Sequence, residues 1–450
     1  MHTTSSPGHR PKTPTVSELR GTSQLVIDAV KGVTGLVEDM HRNISRLAPI
    51  VGTAPKGRTG GITGLVYQSV RGVTSAVGWS LDKAVMPLAA PIVTSLADSS
   101  MGPSIGKAVA AALEPLFKPI ATKLGQAESA PYRDTFLSVI NGVLGDTLEV
   151  SGNPLAITMQ LRKDGKALEL EPKALAKQLQ QPSGKLLVLV HGLCMNDLQW
   201  NRHGHDHGTL LAAEYGYTNV YLHYNTGRSI ATNGQAFADL LQALLAAWPV
   251  PVTELVLVGH SMGGLVSRSA CHYAASARHT WPKKLNKLIC LGTPHEGAPL
   301  ERAGSWVDYL LGISPYTAPF AKLGLIRSAG IQNLRYGDIL PASSAANATA
   351  NQAPWPSKIK LYCIAATKQK APSKSAGKLR GDGLVPVKSA LGQHTDPALS
   401  LPVPATRQAI VYNTDHFDLL SSPEVYQHLL KWTRGADGFT AAQHPPRQAA

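Results

Sequence analysis

Long apolar runs are missing from the sequence. No stretch reaches the roughly 18 consecutive apolar residues that a membrane-spanning helix requires. Charge is also scarce, since 16% of the 450 residues are charged against roughly 25% in most soluble domains. The chain is nevertheless basic, with a formal net charge of +14. Because 43% of the residues are hydrophobic, we expect a folded protein with a sizeable core rather than a disordered one.

Cysteine is rare as well. Cys194, Cys271, Cys290 and Cys363 lie far apart without CxxC spacing, which argues against a disulfide framework or a zinc cluster. Buried free thiols suit a reducing compartment. Residues 1–20 lack the apolar segment of a secretory signal, so we expect a cytoplasmic location, with peripheral membrane contact left open. No DNA-binding motif accompanies the basic charge, and we expect no nucleic-acid partner.

Most of the first third of the chain has the pattern of helices. We expect a flexible tail over 1–21, a helical region over 22–145 and a second tail over 434–450. Apolar residues recur every three or four positions over 26–47 and again over 66–81, which is typical of amphipathic helices. Packing against other helices is the favoured role. A membrane-surface role stays open because the stripes carry Lys31, Arg42, Arg46 and Arg71.

The pattern changes to α/β over 146–433. Short apolar runs occur at 186–190, 219–224, 254–258, 287–291, 359–366 and 409–412, and segments compatible with helices separate several of them. Before them, the segments Leu155–Leu161 and Ala167–Leu170 flank Lys163-Asp164-Gly165, which is typical of two strands joined by a β-hairpin turn. Apolar strands that alternate with helices indicate a mostly parallel sheet that is covered on both faces.

One pentapeptide carries the strongest chemical signal. Gly259-His260-Ser261-Met262-Gly263 follows the apolar strand at 255–258 and precedes a predicted helix at 264–277. A side chain at the tip of a sharp strand-to-helix turn crowds the positions two before and two after it, so both must be small. The pattern therefore predicts that Ser261 is a nucleophile.

A serine nucleophile needs a base, and the base needs an orienting acid. On such a turn, acid and base follow the serine in chain order. Asp382 has a glycine on each side and lies after a strand, which favours it as the acid over Asp308, Asp338 and Asp396. His416 follows the last strand and is the favoured base over His295, His394 and His428. We expect the neighbouring Asp415 and Asp418 to cap the next helix or its approach.

An oxyanion hole completes such a site, and backbone N–H groups supply it. One donor is expected from Met262, directly after the nucleophile, and the second from Leu193, in the glycine-containing loop after the strand at 186–190. We expect His191 to hold this loop through its ring.

These pieces resemble the α/β-hydrolase superfamily, in its esterase/lipase branch. Besides the pentapeptide and Gly264, the similar segments are 191–193, 291–297, 381–386 and Asp415-His416. The segment 291–297 is similar to bacterial triacylglycerol lipases and GPI-inositol-deacylase-like hydrolases. The resemblance implies hydrolysis of a small-molecule or lipid carboxylic ester through an acyl-serine, with no cofactor. An acyltransferase or thioesterase with the same triad, or a membrane-associated scaffold with a vestigial hydrolase domain, remains the alternative.

A long insertion over 297–357 separates the sixth and seventh strands. In this fold such a segment is usually a cap or lid, and its apolar residues suit an apolar acyl chain. We assign substrate contacts to Trp306 and Leu310 in the insertion and to His260 beside the nucleophile. A helical excursion packed away from the site is the alternative.

Two further clusters carry charge or metal-ligand chemistry. His203, His205 and His207 alternate in one loop; a hydrogen-bonded loop beside the oxyanion turn is favoured over a metal site, so we expect no metal. Residues 358–388 hold eight basic residues and one acidic residue. This stretch predicts a local basic rim near the site, which either merely aids solubility or attracts anionic lipid surfaces or acidic esters.

Overall fold

The structure is a computed structural model that describes residues 130–150, 152–153, 155–298, 328–341, 355–356, 358–370 and 380–434. The predicted helices over 22–129, both predicted tails and most of the predicted insertion lie outside these residues. Trp306 and Leu310 lie outside them too, so their assignment stays a prediction.

The described residues contain an eight-stranded, mostly parallel sheet with the order β2-β1-β4-β3-β5-β6-β7-β8. Only the pairings of β1 with β2 and of β1 with β4 are antiparallel. The strands are β1 (Gln160–Lys163), β2 (Lys166–Ala167), β3 (Lys185–Val190), β4 (Thr218–His223), β5 (Glu254–His260), β6 (Leu285–Leu291), β7 (Lys360–Ala366) and β8 (Gln408–Val411). The sequence-predicted strand positions and the mostly parallel sheet are confirmed.

The hairpin between β1 and β2 is confirmed at its turn and differs at its start. Asp164 and Gly165 have φ angles of 52° and 74°, the left-handed pair that a two-residue hairpin turn prefers. The sequence predicts a strand from Leu155, but β1 begins only at Gln160. The Asn141 side chain accounts for part of the difference, because it bonds Leu155 O at 2.8 Å and Ile157 N at 2.9 Å.

Helices surround the sheet in two sets. They are α1 (Ala130–Val150), α2 (Pro172–Leu179), α3 (His207–Tyr215), α4 (Ile230–Ala247), α5 (Met262–Ser276), α6 (Ala329–Tyr336), α7 (Val387–Ala390) and α8 (Pro423–Thr433). Helix α4 packs against α5, and α3 packs against α8. The right-handed rule for crossovers between parallel strands places α4 and α5 on one face of the sheet and α3 on the other. None of the described helices has the length and apolar character needed to span a bilayer.

The direction of winding reverses at β3, because β4 lies on one side of it and β5 on the other. In open α/β sheets, ligands bind outside the carboxyl ends of the strands at such a switch point. The loops after β3, β5, β6, β7 and β8 therefore meet at the edge of the sheet where a site is expected.

Helix α1 crosses the predicted boundary at 145/146 and packs closely on this edge. A β-carbon on Gly142 would overlap Cys194, in the loop after β3, and one on Gly145 would overlap Asn225, after β4. Asn225 Nδ2 donates to Gly145 O at 2.8 Å. The glycines thus let α1 sit against both loops.

The basic stretch divides between two edges of the sheet. Lys358 and Lys360 lie at the amino end of β7, whereas Lys368 and Lys370 follow its carboxyl end. Lys358 and Lys360 therefore lie apart from the other described basic residues of the stretch, Lys368, Lys370, Arg380 and Lys388, which follow β7. Lys374 and Lys378 lie outside the described residues, so the basic rim stays a prediction for the part after β7. A β-carbon on Gly383 would lie 2.8 Å from Lys368 Nζ, so Lys368 reaches the loop beside Asp382.

A buried ionic network joins α1 to β1 and to the loop before α3. Arg162 Nη1 lies 2.7 Å from Asp134 Oδ2 and 3.2 Å from Asp197 Oδ1. His223 Nδ1 lies 3.1 Å from the same Asp197 oxygen. A single guanidinium thus compensates two carboxylates that are largely removed from water.

Replacing this guanidinium should destabilise the fold strongly. Arg162→Met leaves two buried carboxylates without their cation, and we expect the free energy of unfolding to fall by about 3–5 kcal/mol. Urea denaturation measures it. The matched control is Lys166→Met on the exposed strand β2. Equal losses in the two variants would contradict the role of the network.

Candidate active site

The turn from β5 into α5 holds Ser261 in a strained conformation. Its φ and ψ angles are 53° and −123°, in a region that a residue with a β-carbon rarely adopts. The Ser261 amide donates to Leu291 O at 2.9 Å, and the Gly264 amide donates to Ser261 O at 3.1 Å. The neighbouring strand β6 and the first turn of α5 therefore hold the strained residue at the tip of the turn.

The glycines around Ser261 are required by close backbone contacts. A β-carbon on Gly259 would lie 2.5 Å from Gly264 N, and one on Gly263 would overlap Val190 O of β3. One on Gly264 would overlap the Thr293 hydroxyl after β6. These contacts are the physical reason for the small residues that the pentapeptide pattern demands.

Asp382 and His416 form a buried pair at the same edge. His416 Nδ1 lies 2.7 Å from Asp382 Oδ2, and their side chains are 1% and 0% exposed. The other carboxylate oxygen, Oδ1, accepts from Leu384 N at 2.9 Å and from Val385 N at 2.8 Å. The carboxylate therefore has three donors and a fixed orientation.

The two glycines beside Asp382 serve its turn. Gly383 has a φ of 106°, and a β-carbon on Gly381 would overlap Val385 O. Asp382 N also donates to Val385 O at 3.3 Å. A tight turn thus folds back on itself and aims the carboxylate at His416, as the flanking glycines predict.

Gly292 and His260 lie beside His416 and are close to Ser261 along the chain or through Leu291. Gly292, which follows the acceptor Leu291, has a φ of 57°, and a β-carbon there would lie 3.1 Å from His416 Nδ1. His260 packs its ring on His416, with 4.8 Å between ring centroids. The residues beside Ser261 and beside its hydrogen-bond partner thus both border the His416 imidazole. Gly292 is a site residue whose role the sequence analysis missed, and its position in the segment 291–297 was the available signal.

The rival histidines have other partners. His295 Nδ1 accepts from Arg268 Nη1 at 3.1 Å, and its Nε2 faces Cys363 Sγ at 3.6 Å. His394 Nδ1 accepts from the main-chain amide of Asp396 at 2.9 Å. His428 lies on α8 against Trp432. Arg268, a buried arginine on the helix after Ser261, was not singled out in the sequence.

The loops expected to form the oxyanion hole lie against Ser261. Met262 is the first residue of α5, where a helix amide has no intrahelical acceptor. A β-carbon on Gly192 would lie 3.0 Å from Ser261 Cβ, so the segment before Leu193 touches the serine. The next amide, Cys194 N, already donates to Thr226 Oγ1 at 3.1 Å.

His191 lies behind this loop, in the structural role expected for it. Its Nδ1 donates to Gly192 O at 2.9 Å, and its ring stacks on Tyr224 at 4.5 Å. Tyr224 in turn donates its hydroxyl to His191 O at 2.8 Å.

His260 was expected to contact substrate, yet its side chain is wholly buried. Its Nε2 donates to His416 O at 3.0 Å. The Nε2 bond directs the His260 ring to the main chain of His416, and its assignment to substrate contact stays a prediction. The sequence pattern predicted that His260 lies beside Ser261 but not where its side chain points.

The histidine loop has the hydrogen-bonded form that was favoured. His205 Nε2 lies 2.8 Å from His207 Nδ1, and His207 Nε2 lies 3.0 Å from Leu419 O. Among the described residues, no group of three or more His, Cys, Asp or Glu is arranged to hold a metal ion. All four cysteines are free and buried, as predicted.

Comparison with known proteins gives a partial match. Residues 181–318 match the family model described as the PGAP1-like alpha/beta domain. No curated protein matches the sequence. Similar solved structures include the Bacillus licheniformis lipase BlEst2 in mature form, at 20% identity over 56% of this chain and 94% of that chain with a TM-score of 0.38. Another is the naproxen esterase of Bacillus subtilis, at 12% identity over 55% and 83% with a TM-score of 0.32.

The sheet order, the strand–turn–helix elbow and this family match agree with one another. The described residues form the α/β-hydrolase fold, and the resemblance to that superfamily is confirmed. The predicted lid within it stays a prediction.

Burial keeps four histidines around this edge neutral. It lowers the pKa of His191 to about 3 and of His207 to about 4. It also puts the pKa of His260 and of His295 well below the usual value. Each ring is therefore neutral at physiological pH.

These histidines should make the fold sensitive to acid. Between pH 6.5 and about pH 3, His191 binds a proton in the unfolded chain but not in the folded chain. The free energy of unfolding therefore decreases as the pH falls through this window. At pH 5 this one site should lower the free energy of unfolding by about 2 kcal/mol. His191→Asn, which does not titrate, should lose correspondingly less between pH 7.5 and 5.0 in urea denaturation. Equal losses would contradict this account.

Proposed function

We propose that this chain is a serine hydrolase of carboxylic esters that works through an acyl-serine intermediate on an apolar acyl ester. The observation that carries the proposal is the left-handed Ser261, at the sheet edge where the buried His416–Asp382 pair lies. Strained nucleophile turns beside a histidine–carboxylate pair are typical of acyl-transfer chemistry.

In the proposed mechanism, Ser261 Oγ attacks the ester carbonyl carbon while His416 Nε2 takes the serine proton. Asp382 accepts from His416 Nδ1, which keeps the lone pair on Nε2 and stabilises the imidazolium that forms. The amides of Leu193 and Met262 donate to the oxyanion of the tetrahedral intermediate. His416 then protonates the leaving alcohol, and a water molecule activated in the same way releases the acid from the acyl-serine.

The substrate class and the acceptor are the finer parts of the proposal. The apolar acyl group is suggested by the composition of residues 297–357, which lie mostly outside the described residues. The same triad transfers acyl groups from thioesters or to alcohols. Comparing matched esters and thioesters, and adding an alcohol acceptor, separates hydrolysis from these reactions by its products.

Substitution of the triad tests the proposal. Ser261→Ala should lower kcat for p-nitrophenyl butyrate by about 10⁴-fold or more, because it removes the nucleophile. Asp382→Asn should lower it by about 10⁴-fold, because the amide favours the wrong tautomer of His416. The matched controls are Ser276→Ala at the exposed end of α5 and Asp396→Asn on an exposed turn, which should retain wild-type activity. Undiminished hydrolysis by Ser261→Ala would refute the mechanism.

A further inference from the structure

The turn that carries His416 is closed by its own side chains. Asp415 Oδ1 accepts from Phe417 N at 2.8 Å and from Asp418 N at 2.9 Å. Asp418 Oδ2 accepts from Asp415 N at 3.1 Å. These bonds fix the local shape of the turn, as the capping expectation for the two aspartates implied. They do not fix its position relative to Ser261, since both partners lie within the turn.

Two buried histidines from other elements bond the main chain of this turn. His260, the last residue of β5, lies with Nε2 3.0 Å from His416 O. His207, the first residue of α3, lies with Nε2 3.0 Å from Leu419 O. A carbonyl oxygen only accepts, so each Nε2 must carry the proton. Both side chains have no exposed surface.

The remaining ring nitrogens fit the same protonation state. His207 Nδ1 accepts from His205 Nε2 at 2.8 Å, which leaves the proton of His207 on Nε2. His260 Nδ1 faces the main chain of Gly192, where a β-carbon would lie 3.2 Å away. Burial lowers the pKa of both rings, so both stay in the neutral donor form at physiological pH.

We propose that His207 and His260 are positioning residues that hold His416 in register with Ser261. This inference rests on the proposed function, in which His416 is the base. His260 directly precedes Ser261, so its bond to His416 O joins the nucleophile's own strand to the main chain of the base. His207 secures the far end of the turn at Leu419. Misplacement of a reacting group by about 1 Å costs roughly 10²-fold in rate, which sets the scale of the effect.

The test removes each donor and then restores it. His260→Phe and His207→Phe keep a ring but lose the N–H, whereas His260→Gln and His207→Gln keep an N–H near the position of Nε2. The Phe variants should lower kcat for p-nitrophenyl butyrate by about 10- to 100-fold with little change in KM, because the substrate-binding surface is untouched. The Gln variants should recover most of the loss. Equal kcat in the Phe and Gln variants of a residue would overturn its role.

The matched control comes from the same histidine loop. His203 is exposed and has a left-handed φ of 55°, which asparagine tolerates, so His203→Asn should keep the wild-type kcat. Urea denaturation verifies that each variant is folded. Leu replaces Phe in any variant that does not fold, since it also lacks the donor.

A spectroscopic measurement separates this inference from the proposed function. The proton on His416 Nδ1, bonded to Asp382, should give a low-field proton NMR signal in the wild type and in the Gln variants. The signal should shift upfield or broaden in the Phe variants, and an unchanged signal there would overturn the positioning role. If Ser261→Ala remains active while the signal follows the donors, the proposed function fails and the positioning of His416 stands.

Discussion

The backbone turn at Ser261 is the constraint on which the rest of the edge depends. A serine held at a φ of 53° costs of order 1–3 kcal/mol, and only surrounding structure can maintain it. The bond from its amide to Leu291 O supplies part of that support, and glycines at 259 and 263 admit the main chain of α5 and β3 at contact distance. The turn that presents the serine is therefore bonded to β6 and packed closely against β3 and α5.

Much of the fold could be predicted because the central strands β3 to β7 are buried on both faces and are therefore mostly apolar. The predicted strand positions agree with β3 to β8 within a few residues. The prediction was less accurate before β1. There the Asn141 side chain, rather than a neighbouring strand, bonds the main chain of Leu155 and Ile157. For the basic stretch the prediction was too broad, because strand β7 separates Lys358 and Lys360 from the basic residues that follow the strand.

Glycines at the turns, and the chain order of serine, acid and base, made much of the candidate site predictable from the sequence. Gly259, Gly263 and the glycines beside Asp382 mark turns that only they can form, so the turns could be located from the sequence. The direction of a side chain is set by packing, which the sequence does not reveal. The bond between His260 and His416 O could therefore not be predicted. Buried neutral histidines leave no periodic signal, and their role as hydrogen-bond donors is visible only in three dimensions.

The most direct measurement is covalent capture of the nucleophile. A fluorophosphonate ester reacts when a serine oxygen attacks phosphorus and fluoride leaves, so it labels only a serine that a base has activated. Peptide mass spectrometry should find one phosphonylated serine, Ser261, in the wild type and little or none in His416→Ala. Labelling of another serine, or equal labelling of Ser261 in His416→Ala, would contradict the account.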